Sequence, residues 1–290
     1  MNRLYKMSKT IIENLYEKSD KLIVDWMSSD FQNTDTYKND PFLSIQKKPD
    51  GGLLKPEYIE LMPEPFFGDP ENNLAVILNL NPGYGPDNKK HIGKNEVKDK
   101  LSQGYSTFAK TNPYLTQPDV NQKPFHPEAH KWWAKRYNWL KSILGYDKDD
   151  RKPFTLEFCP WHSNNWSDAG INIDDFINIH QDYIRDSILL PAAYAINNNR
   201  SVSPCIISIG KTYTKLYKSL GFTIEKTWQR PEIVKGVWPG KEVFFEYYKK
   251  IEINNQTIKA LAIWLNGSNK TPSEEFIDIE KDIIEYIKTH

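Results

Sequence analysis

The sequence has no excess of charge of one sign, since 38 Lys and Arg residues balance 38 Asp and Glu residues over 290 positions. Proteins dedicated to nucleic acids usually carry a basic excess, because neutralising phosphates supplies most of their non-specific affinity. The balance therefore argues against DNA or RNA as a high-affinity partner. It leaves room for a local basic face.

Long apolar runs and cysteines are also scarce. No run of about 18 apolar residues occurs, so we predict no membrane-spanning helix. The first residues, MNRLYKMSKT, lack the apolar core of a secretory signal, so we expect a cytoplasmic protein. The two cysteines, Cys159 and Cys205, are too few for a four-thiolate metal cluster and lie within apolar runs. We expect both to be buried, reduced thiols.

Apolar residues recur at helical or strand spacing along most of the chain. Residues 8–28 have the periodicity of an amphipathic helix, whereas residues 29–70 are rich in the Pro and Gly of loops. Beyond them we predict strands at about 74–80, 153–159, 204–209, 243–249 and 258–265. We predict helices at about 127–144, 172–197 (bent or broken near Pro191), 211–219 and 274–288.

Strands that alternate with helices indicate βαβ crossovers. We therefore predict an α/β fold with three layers and a doubly wound, mostly parallel sheet. We expect residues 1–70 to form an N-terminal helix and loop extension and residues 71–290 to form the α/β domain. Such sheets bind ligands beyond the carboxyl ends of their strands. The residues that follow each strand are thus the candidates for a site.

The first predicted strand ends in an unusually rigid turn, Asn79–Tyr84 (NLNPGY). Pro82 fixes φ, Gly83 permits backbone conformations that other residues resist, and Asn81 carries both a donor and an acceptor. This pattern suits a backbone held beside a small ligand. It also suits an ordinary strand exit in which Asn caps its own turn.

Other strand ends and one helix start carry further candidates. Glu157 interrupts an apolar strand, where a carboxylate needs a partner or a role. His162 follows that strand and is a possible general acid or base, or simply a solvated loop residue. Asn266 and Ser268 follow the last strand, in what is otherwise a common Asn-Gly turn. Phe125 lies between prolines just before a helix, which would fix its ring at a pocket edge.

Two further motifs lack what phosphate or metal binding requires. Ser208–Thr212 (SIGKT) is not a phosphate loop, because Cys205 stands where that loop needs its first glycine. The helix that follows Gly210 could still favour an anion at its N-terminus. His126 and His130 have no further ligands at zinc spacing, so we predict no metal site.

Taken in order, these segments resemble the uracil-DNA glycosylase superfamily, and most closely its mismatch-specific uracil/thymine branch. Asn79–Gly83 is similar to the branch's Gly-x-Asn-Pro-Gly motif, with Asn in place of the leading Gly. The stretch KPFHPEAHKWW is similar to its Pro-Phe-x-His-Pro stretch with one residue fewer, and CIISIGKTYTKLYKSLG is similar to its strand, glycine and helix. The resemblance covers about residues 70–288.

The resemblance implies a DNA N-glycosylase that acts on a flipped base and needs no cofactor. Asn81 would position the attacking water, and Phe125 would stack on the extruded base. Glu157 falls where a base-reading Asn is expected, and Asn266 where a His or Asn contacts the leaving base. We predict Asn81 and Asn266 as catalytic residues, and Gly83, Tyr84, Phe125, Glu157, His162 and Ser268 as substrate-binding residues.

The departures from the family pattern leave a second interpretation open. Asn-Gly-Ser in place of His-Pro-Ser removes a cationic donor to a departing uracil anion. A catalytically silent descendant would keep the pocket and bind a nucleotide, a modified base or a protein. Unrelated chemistry on the same fold is also open, because architecture does not fix activity. The glycosylase interpretation requires Asn81 and Asn266 to face each other across one cleft.

Overall fold

The computed structural model describes residues 2–28, 39–47, 51–84, 101–115, 127–197, 202–231, 242–252, 257–265 and 277–290. Its strands are β1 Phe66–Phe67, β2 Val76–Asn79, β3 Phe154–Glu157, β4 Ile206–Ile209, β5 Thr223–Pro231, β6 Glu242–Ile251 and β7 Thr257–Leu265. The helices are α1 Asn2–Ser28, α2 Pro56–Ile59, α3 Tyr105–Lys110, α4 Pro127–Leu144, α5 Ile173–Ile179, α7 Thr212–Ser219 and α8 Ile277–Thr289. Between α5 and α7, helix α6 runs through Gln181–Tyr183, a π-helical turn Ile184–Leu189 and Leu190–Asn197.

The seven strands form one mixed sheet in the order β1-β3-β2-β4-β7-β6-β5. Strands β3, β2, β4 and β7 are parallel neighbours, whereas β1, β6 and β5 each run antiparallel to the strand beside them. The predicted α/β fold is confirmed, but the sheet is less parallel than we predicted. A parallel crossover needs a dozen or more residues, usually a helix. The short connections 232–241 and 253–256 permit only antiparallel pairing of β5, β6 and β7.

The five predicted strands are all present, and β1 and β5 were not predicted. Strand β1 has two residues, too few to show a pattern. Strand β5, TIEKTWQRP, is broken up by charged residues, and its register with β6 shifts between Ile224 and Lys226. Both missed strands lie at the ends of the strand order, where one side of a strand has no neighbour among the described strands.

Both faces of the central strands are covered. Every residue of β2, β3 and β4 is buried. Because successive side chains of a strand point to opposite faces, continuous burial means that helices or loops pack on each side. Helix α4 contacts α8, and helix α1 contacts α3 and α6. None of the helices in the described ranges is long and apolar enough to cross a lipid bilayer.

The predicted helix at 172–197 is interrupted at His180 rather than at Pro191. Helix α5 begins at an Asn172 cap, whose side chain accepts hydrogen bonds from the backbone N–H groups of Asp174 and Asp175. It ends at His180, whose φ of −117° and ψ of 43° are not helical. Pro191 continues the helix directly after the π-helical turn. A π-helical turn shifts the hydrogen-bond ladder, which lets the chain tolerate the missing N–H of proline.

Helix α1 shares the hydrophobic core of the sheet. Leu15, Ile23 and Trp26 belong to the same buried cluster as Val76 of β2. The indole Nε1 of Trp26 also donates a 3.0 Å hydrogen bond to the backbone oxygen of Ile59. The helix is therefore packed against the fold, and the division of the chain at residue 70 stays a prediction.

Candidate functional site

The pairing of β2 and β3 continues beyond the last residues of both strands. The backbone N–H of Phe158 donates to Asn79 O, and that of Cys159 donates to Leu80 O, both over 2.8 Å. The two strand exits therefore leave the sheet side by side. They form the carboxyl edge at which parallel sheets bind ligands.

The pairing resumes around the Asn-Pro-Gly turn. Ser163 N donates to Pro82 O over 3.2 Å, and Tyr84 N donates to Ser163 O over 3.0 Å, so that Gly83 and Ser163 form a parallel bridge. We call Asn81–Tyr84 together with Ser163 the rim. Two backbone hydrogen bonds to Ser163, one just before Gly83 and one just after it, fix the rim. Pro82 and Gly83 in the sequence suggested such a rigid turn.

Asn81 is anchored through its amide nitrogen. Nδ2 donates to Pro82 O over 2.8 Å and to Ser163 Oγ over 2.9 Å. Ser163 Oγ in turn donates to Asn165 O over 2.8 Å, which fixes the hydroxyl as an acceptor for Asn81. The side chain is half-buried, and Gly83 beside it is exposed. With Nδ2 engaged twice, Oδ1 is the atom left to accept a hydrogen bond, and no described residue donates to it.

Tyr84 completes the rim with an aromatic ring. It packs edge-to-face on Tyr58, with ring centroids 5.1 Å apart and an interplanar angle of 64°. The Tyr58 hydroxyl also accepts a 3.4 Å hydrogen bond from the backbone of Asn164, the residue after Ser163. The segment around α2 therefore supports the rim from a distant part of the sequence.

Glu157, the last residue of β3, is 3% exposed. Its Oε1 accepts a 2.8 Å hydrogen bond from Asn79 Nδ2, while Oε2 is buried without a partner among the described residues. Burial, reinforced by nearby Glu64, raises the pKa of Glu157 well above its ordinary value, against the opposing effects of Asn79 and Arg136. The neutral acid is thus favoured, and a neutral carboxyl carries an O–H that can donate.

His162 is 2% exposed and connects the rim to the segment before β1. Its Nδ1 lies 3.2 Å from Gly83 O, and its Nε2 lies 3.0 Å from Met62 O and 3.7 Å from Glu64 Oε1. The two ring nitrogens therefore face two backbone oxygens from different segments, and the Glu64 side chain lies beside Nε2. Burial raises the pKa of Glu64, while His162 and the hydroxyl of Tyr114, which donates to it, oppose that rise.

The structure brings five of the predicted residues to one edge of the sheet: Asn81, Gly83, Tyr84, Glu157 and His162. Strand β7 runs parallel to β4, with Ile263 opposite Ile209, and β4 runs parallel to β2. The carboxyl end of β7 therefore lies at the same edge, about 10 Å from that of β2. Phe125, Asn266 and Ser268 lie outside the described residues. Whether Asn266 faces Asn81 stays a prediction.

Sequence reasoning missed Arg136. This residue of α4 is 9% exposed, and its guanidinium carbon lies 3.6 Å from the centroid of the Trp132 ring. One signal could have found it: Arg136 stands three residues after Trp133 and four before Leu140, on the buried face of the helix. A charged residue at such a position calls for a partner or a ligand.

A cavity of about 390 Å³ lies beside α1, away from the Asn81 side chain. Its wall includes Leu15, Ser19, Trp26, Phe42, Trp161 and Tyr183. The half-buried acid on this wall, Asp40, already accepts hydrogen bonds from Phe42 N, Leu43 N and Trp161 Nε1. A carboxylate held by three donors is a structural cap. The cavity therefore offers space for an apolar group, and its half-buried acid has a structural role.

No group of three or more His, Cys, Asp or Glu side chains in the described ranges is arranged to hold a metal ion. No protein-family model, curated protein or solved structure matches this chain.

Proposed function

We propose that the chain is a divergent uracil-DNA glycosylase-like hydrolase, which cleaves the N-glycosidic bond of a flipped damaged or mismatched base. The observation that carries the proposal is the anchoring of Asn81. Its Nδ2 donates to Pro82 O and to Ser163 Oγ. Oδ1 is therefore the side-chain atom that can accept a hydrogen bond from a water or a ligand. A fixed acceptor at the carboxyl edge of the sheet can hold a water in one orientation.

A weakly basic amide oxygen suits this chemistry. In glycosidic bond cleavage the sugar develops positive charge in an oxocarbenium-like transition state. The water then attacks a cation, so an oriented water matters more than a strong base. In this proposal Asn81, Gly83 and Tyr84 face the substrate, while the buried Glu157 and His162 hold the rim in place.

The central strands support the finer architecture of the proposal. Four parallel strands, three of them buried on both faces, with Asn-Pro-Gly after the first of the four, suit the three-layer, doubly wound arrangement of uracil-DNA glycosylases. The partner in this proposal is DNA or a nucleotide in the cytoplasm, and the reaction needs no cofactor. The neutral charge of the whole chain implies weak or local contact with the phosphate backbone.

The experiment measures release of free base from single- and double-stranded oligonucleotides that contain uracil, a mismatched thymine or a damaged base. Wild type should release at least one of these bases. Asn81→Ala should release it about 100-fold more slowly, because the attacking water is no longer held in position. Asn138→Ala is the matched control, because Asn138 is exposed on α4. Absence of release from every substrate would overturn the proposal.

A second candidate is a protein of this fold that binds a base or nucleotide without cleaving it. The near-complete burial of Glu157 and His162 favours it, because their polar atoms are turned into the molecule. Binding of the same oligonucleotides or of nucleotides without release of base would select this candidate. Loss of that binding in Asn81→Ala would place it at the rim.

A further inference from the structure

The cavity beside α1 lies at the carboxyl end of β3. Its wall includes Pro160 and Trp161, which follow that strand, and Pro65, which precedes β1. The two segments are joined there, because Glu157 N donates to Pro65 O over 3.1 Å and Glu64 N donates to Pro160 O over 2.8 Å. Ligands of open α/β sheets bind beyond the carboxyl ends of the strands. At about 390 Å³ the cavity also has the volume of a small-molecule site.

Two tryptophans contribute apolar surface to the wall of this cavity. Nε1 of Trp26 donates to Ile59 O over 3.0 Å, and Nε1 of Trp161 donates to Asp40 Oδ2 over 3.1 Å. Because the indole N–H is the one polar group of a tryptophan side chain, these two offer a ligand the surface of their rings. An apolar ring suits such a wall.

Phe42 and Tyr183 give the cavity a rigid side. Their rings pack edge-to-face with centroids 5.2 Å apart, and the ring of Phe42 also stacks on that of Phe176 at 4.1 Å. The hydroxyl of Tyr183 donates to Phe158 O over 3.3 Å. Side chains that are already held lose little freedom when a ligand binds, so less of the binding energy is lost in ordering the wall.

Two buried serine hydroxyls on the wall have no hydrogen-bond partner among the described residues. Ser19 of α1 is 3% exposed, and Ser187 of α6 is 9% exposed. A serine in a helix can donate to the carbonyl oxygen four residues earlier, as Ser28 does to Val24 O over 2.9 Å. Neither Ser19 nor Ser187 makes such a bond within its own described helix. Because buried polar groups are normally hydrogen-bonded, the two hydroxyls call for a polar group of a ligand.

The π-helical turn of α6 carries one of these hydroxyls. Such turns are rare and are frequently found at functional sites. Within the turn, Ser187 lines the cavity, whereas Ile184, Ile188 and Leu189 belong to the hydrophobic core. The turn therefore presents a polar side chain to the cavity from a segment that is otherwise apolar and buried.

The lysines and acids around the cavity are paired with charged neighbours. The ion pairs are Lys18–Asp186 at 3.1 Å, Lys21–Asp25 at 2.6 Å and Arg185–Asp182 at 2.8 Å. A charged ligand would have to compete with one of these pairs, whereas a neutral ligand leaves all three in place. The border of the cavity therefore favours a neutral ligand.

We propose that this cavity binds a neutral, largely apolar ring compound that carries a hydroxyl or carbonyl group. The rings of the ligand pack against Trp26 and Trp161. Its polar group bonds with Ser19 or Ser187, whose hydroxyls can both donate and accept. The site goes beyond the proposed function, because it lies away from the side chain of Asn81 and requires no cleavage of a bond.

The first test uses N-phenyl-1-naphthylamine, a neutral aromatic amine whose fluorescence rises in apolar surroundings. Wild type should bind it saturably with a Kd of about 100 µM or tighter, as expected for an apolar ligand of this size. Leu22 lines the cavity and is partly buried, so Leu22→Trp should occupy part of the space and weaken binding about 10-fold or more. Val24→Trp is the control, because Val24 on the same helix is 62% exposed.

Two results of this test would overturn the site: failure of wild type to bind the probe, and equal affinity in a folded Leu22→Trp. Displacement of the probe then tests the charge of the ligand. Neutral 2-naphthol should displace it at lower concentration than anionic 2-naphthoate does. The reverse order would overturn the assignment of a neutral ligand.

The serine hydroxyls are tested in a variant that carries both Ser19→Ala and Ser187→Ala. It should melt at the temperature of wild type or higher, because no hydrogen bond between described residues is lost. Its preference for 2-naphthol over 2-methylnaphthalene, which has a methyl group in place of the hydroxyl, should fall several-fold. An unchanged preference would overturn the role of the two hydroxyls.

Two further variants complete the comparison. Ser28→Ala removes a hydroxyl from the same helix outside the cavity, and it should keep the preference of wild type for 2-naphthol. Asn81→Ala should bind N-phenyl-1-naphthylamine as wild type does, which separates this site from that of base release. Loss of binding in Asn81→Ala would place the probe at the rim and overturn the cavity as its site.

Discussion

The side-chain amide of Asn79 donates a 2.8 Å hydrogen bond to Oε1 of Glu157, and the two residues are register partners at the last position of the β2–β3 pair. Register partners point to the same face of a sheet, so this bond closes the interior directly beneath the rim. The acid thus has one satisfied oxygen. Its other oxygen is buried without a partner among the described residues, and burial raises the pKa of the acid.

Glu157→Gln should change the free energy of unfolding at pH 7 by less than about 1 kcal/mol. Glutamine keeps the shape of the neutral acid and the oxygen that accepts from Asn79. Asn79→Asp should cost more, about 2 kcal/mol or above, because it replaces the donor by a second buried acid. Urea denaturation of the three proteins measures both changes. A large loss in Glu157→Gln would show that the carboxylate charge is needed, since Arg136 acts on Glu157 electrostatically.

Glu280 should make stability depend on pH. It is 1% exposed, its Oε2 accepts a 2.8 Å hydrogen bond from Trp139 Nε1, and burial raises its pKa from 4.5 to about 8. The folded state holds this proton more tightly than the unfolded state. The contribution to stability is therefore complete below about pH 4.5 and is lost as pH rises to about 8.

Glu280→Gln removes that dependence. Its free energy of unfolding relative to wild type should grow by a few kcal/mol between about pH 5 and pH 8, because each pKa unit is worth about 1.4 kcal/mol. Urea denaturation at several pH values gives the difference. Parallel pH profiles for the two proteins would show that Glu280 ionises in the same way in the folded and unfolded chain.

His162→Ala should loosen the rim more than it loosens the sheet. It removes the contacts to Gly83 O and Met62 O, and it leaves Tyr114 as the described side chain that donates to Glu64. Unsatisfied buried groups cost about 1–3 kcal/mol each. Hydrogen exchange should accelerate at the Tyr84 amide, which donates to Ser163 O, while β2 stays protected.

Tyr114→Phe is the control for that variant. It removes a hydroxyl from Glu64 but leaves the ring of His162 between its two carbonyl oxygens. Faster exchange at Tyr84 in this control as well would assign the support of the rim to Glu64 rather than to His162.

Trp26 should be as important to stability as a residue in the centre of the sheet. It is 2% exposed, and its indole is bonded to Ile59 O, so Trp26→Ala should cost about 3–5 kcal/mol. Val24 on the same helix is 62% exposed, and Val24→Ala should change stability by about 0.5 kcal/mol or less. Thermal and urea denaturation compare the two. Equal, small effects would show that α1 is a dispensable extension.

The parts of the fold that could be predicted are those whose signal is local. Strand β2 is a short apolar run that ends at Asn79, and α4 has the periodicity of a buried helix face. Strand β5 could not be found in this way, because its pairing with β6 is not encoded in its own alternation. The break at His180 was also missed, since the proline further along was the stronger local signal.

The same distinction between local and long-range signals applies to the residues of the candidate site. The turn at Asn81 and the acid Glu157 could be predicted because each is a polar feature next to or within an apolar run of the sequence. The burial of His162 was not visible, because its partners Met62 and Glu64 come from about a hundred residues earlier in the chain. Arg136 combines the two cases: its place on a buried helix face is a local signal, but its stacking on Trp132 is seen only in three dimensions.

The two outer strands of the described sheet, β1 and β5, affect whether two copies of the chain can pair through their sheet edges. An unpaired strand edge is a template on which another molecule can add its own backbone. On one side β1 offers only two residues, and on the other the register shift at Ile224 and Lys226 interrupts the regular row of donors and acceptors. Short, kinked or charged borders disfavour such growth. These two borders of the described sheet therefore disfavour edge-to-edge pairing between copies of the chain.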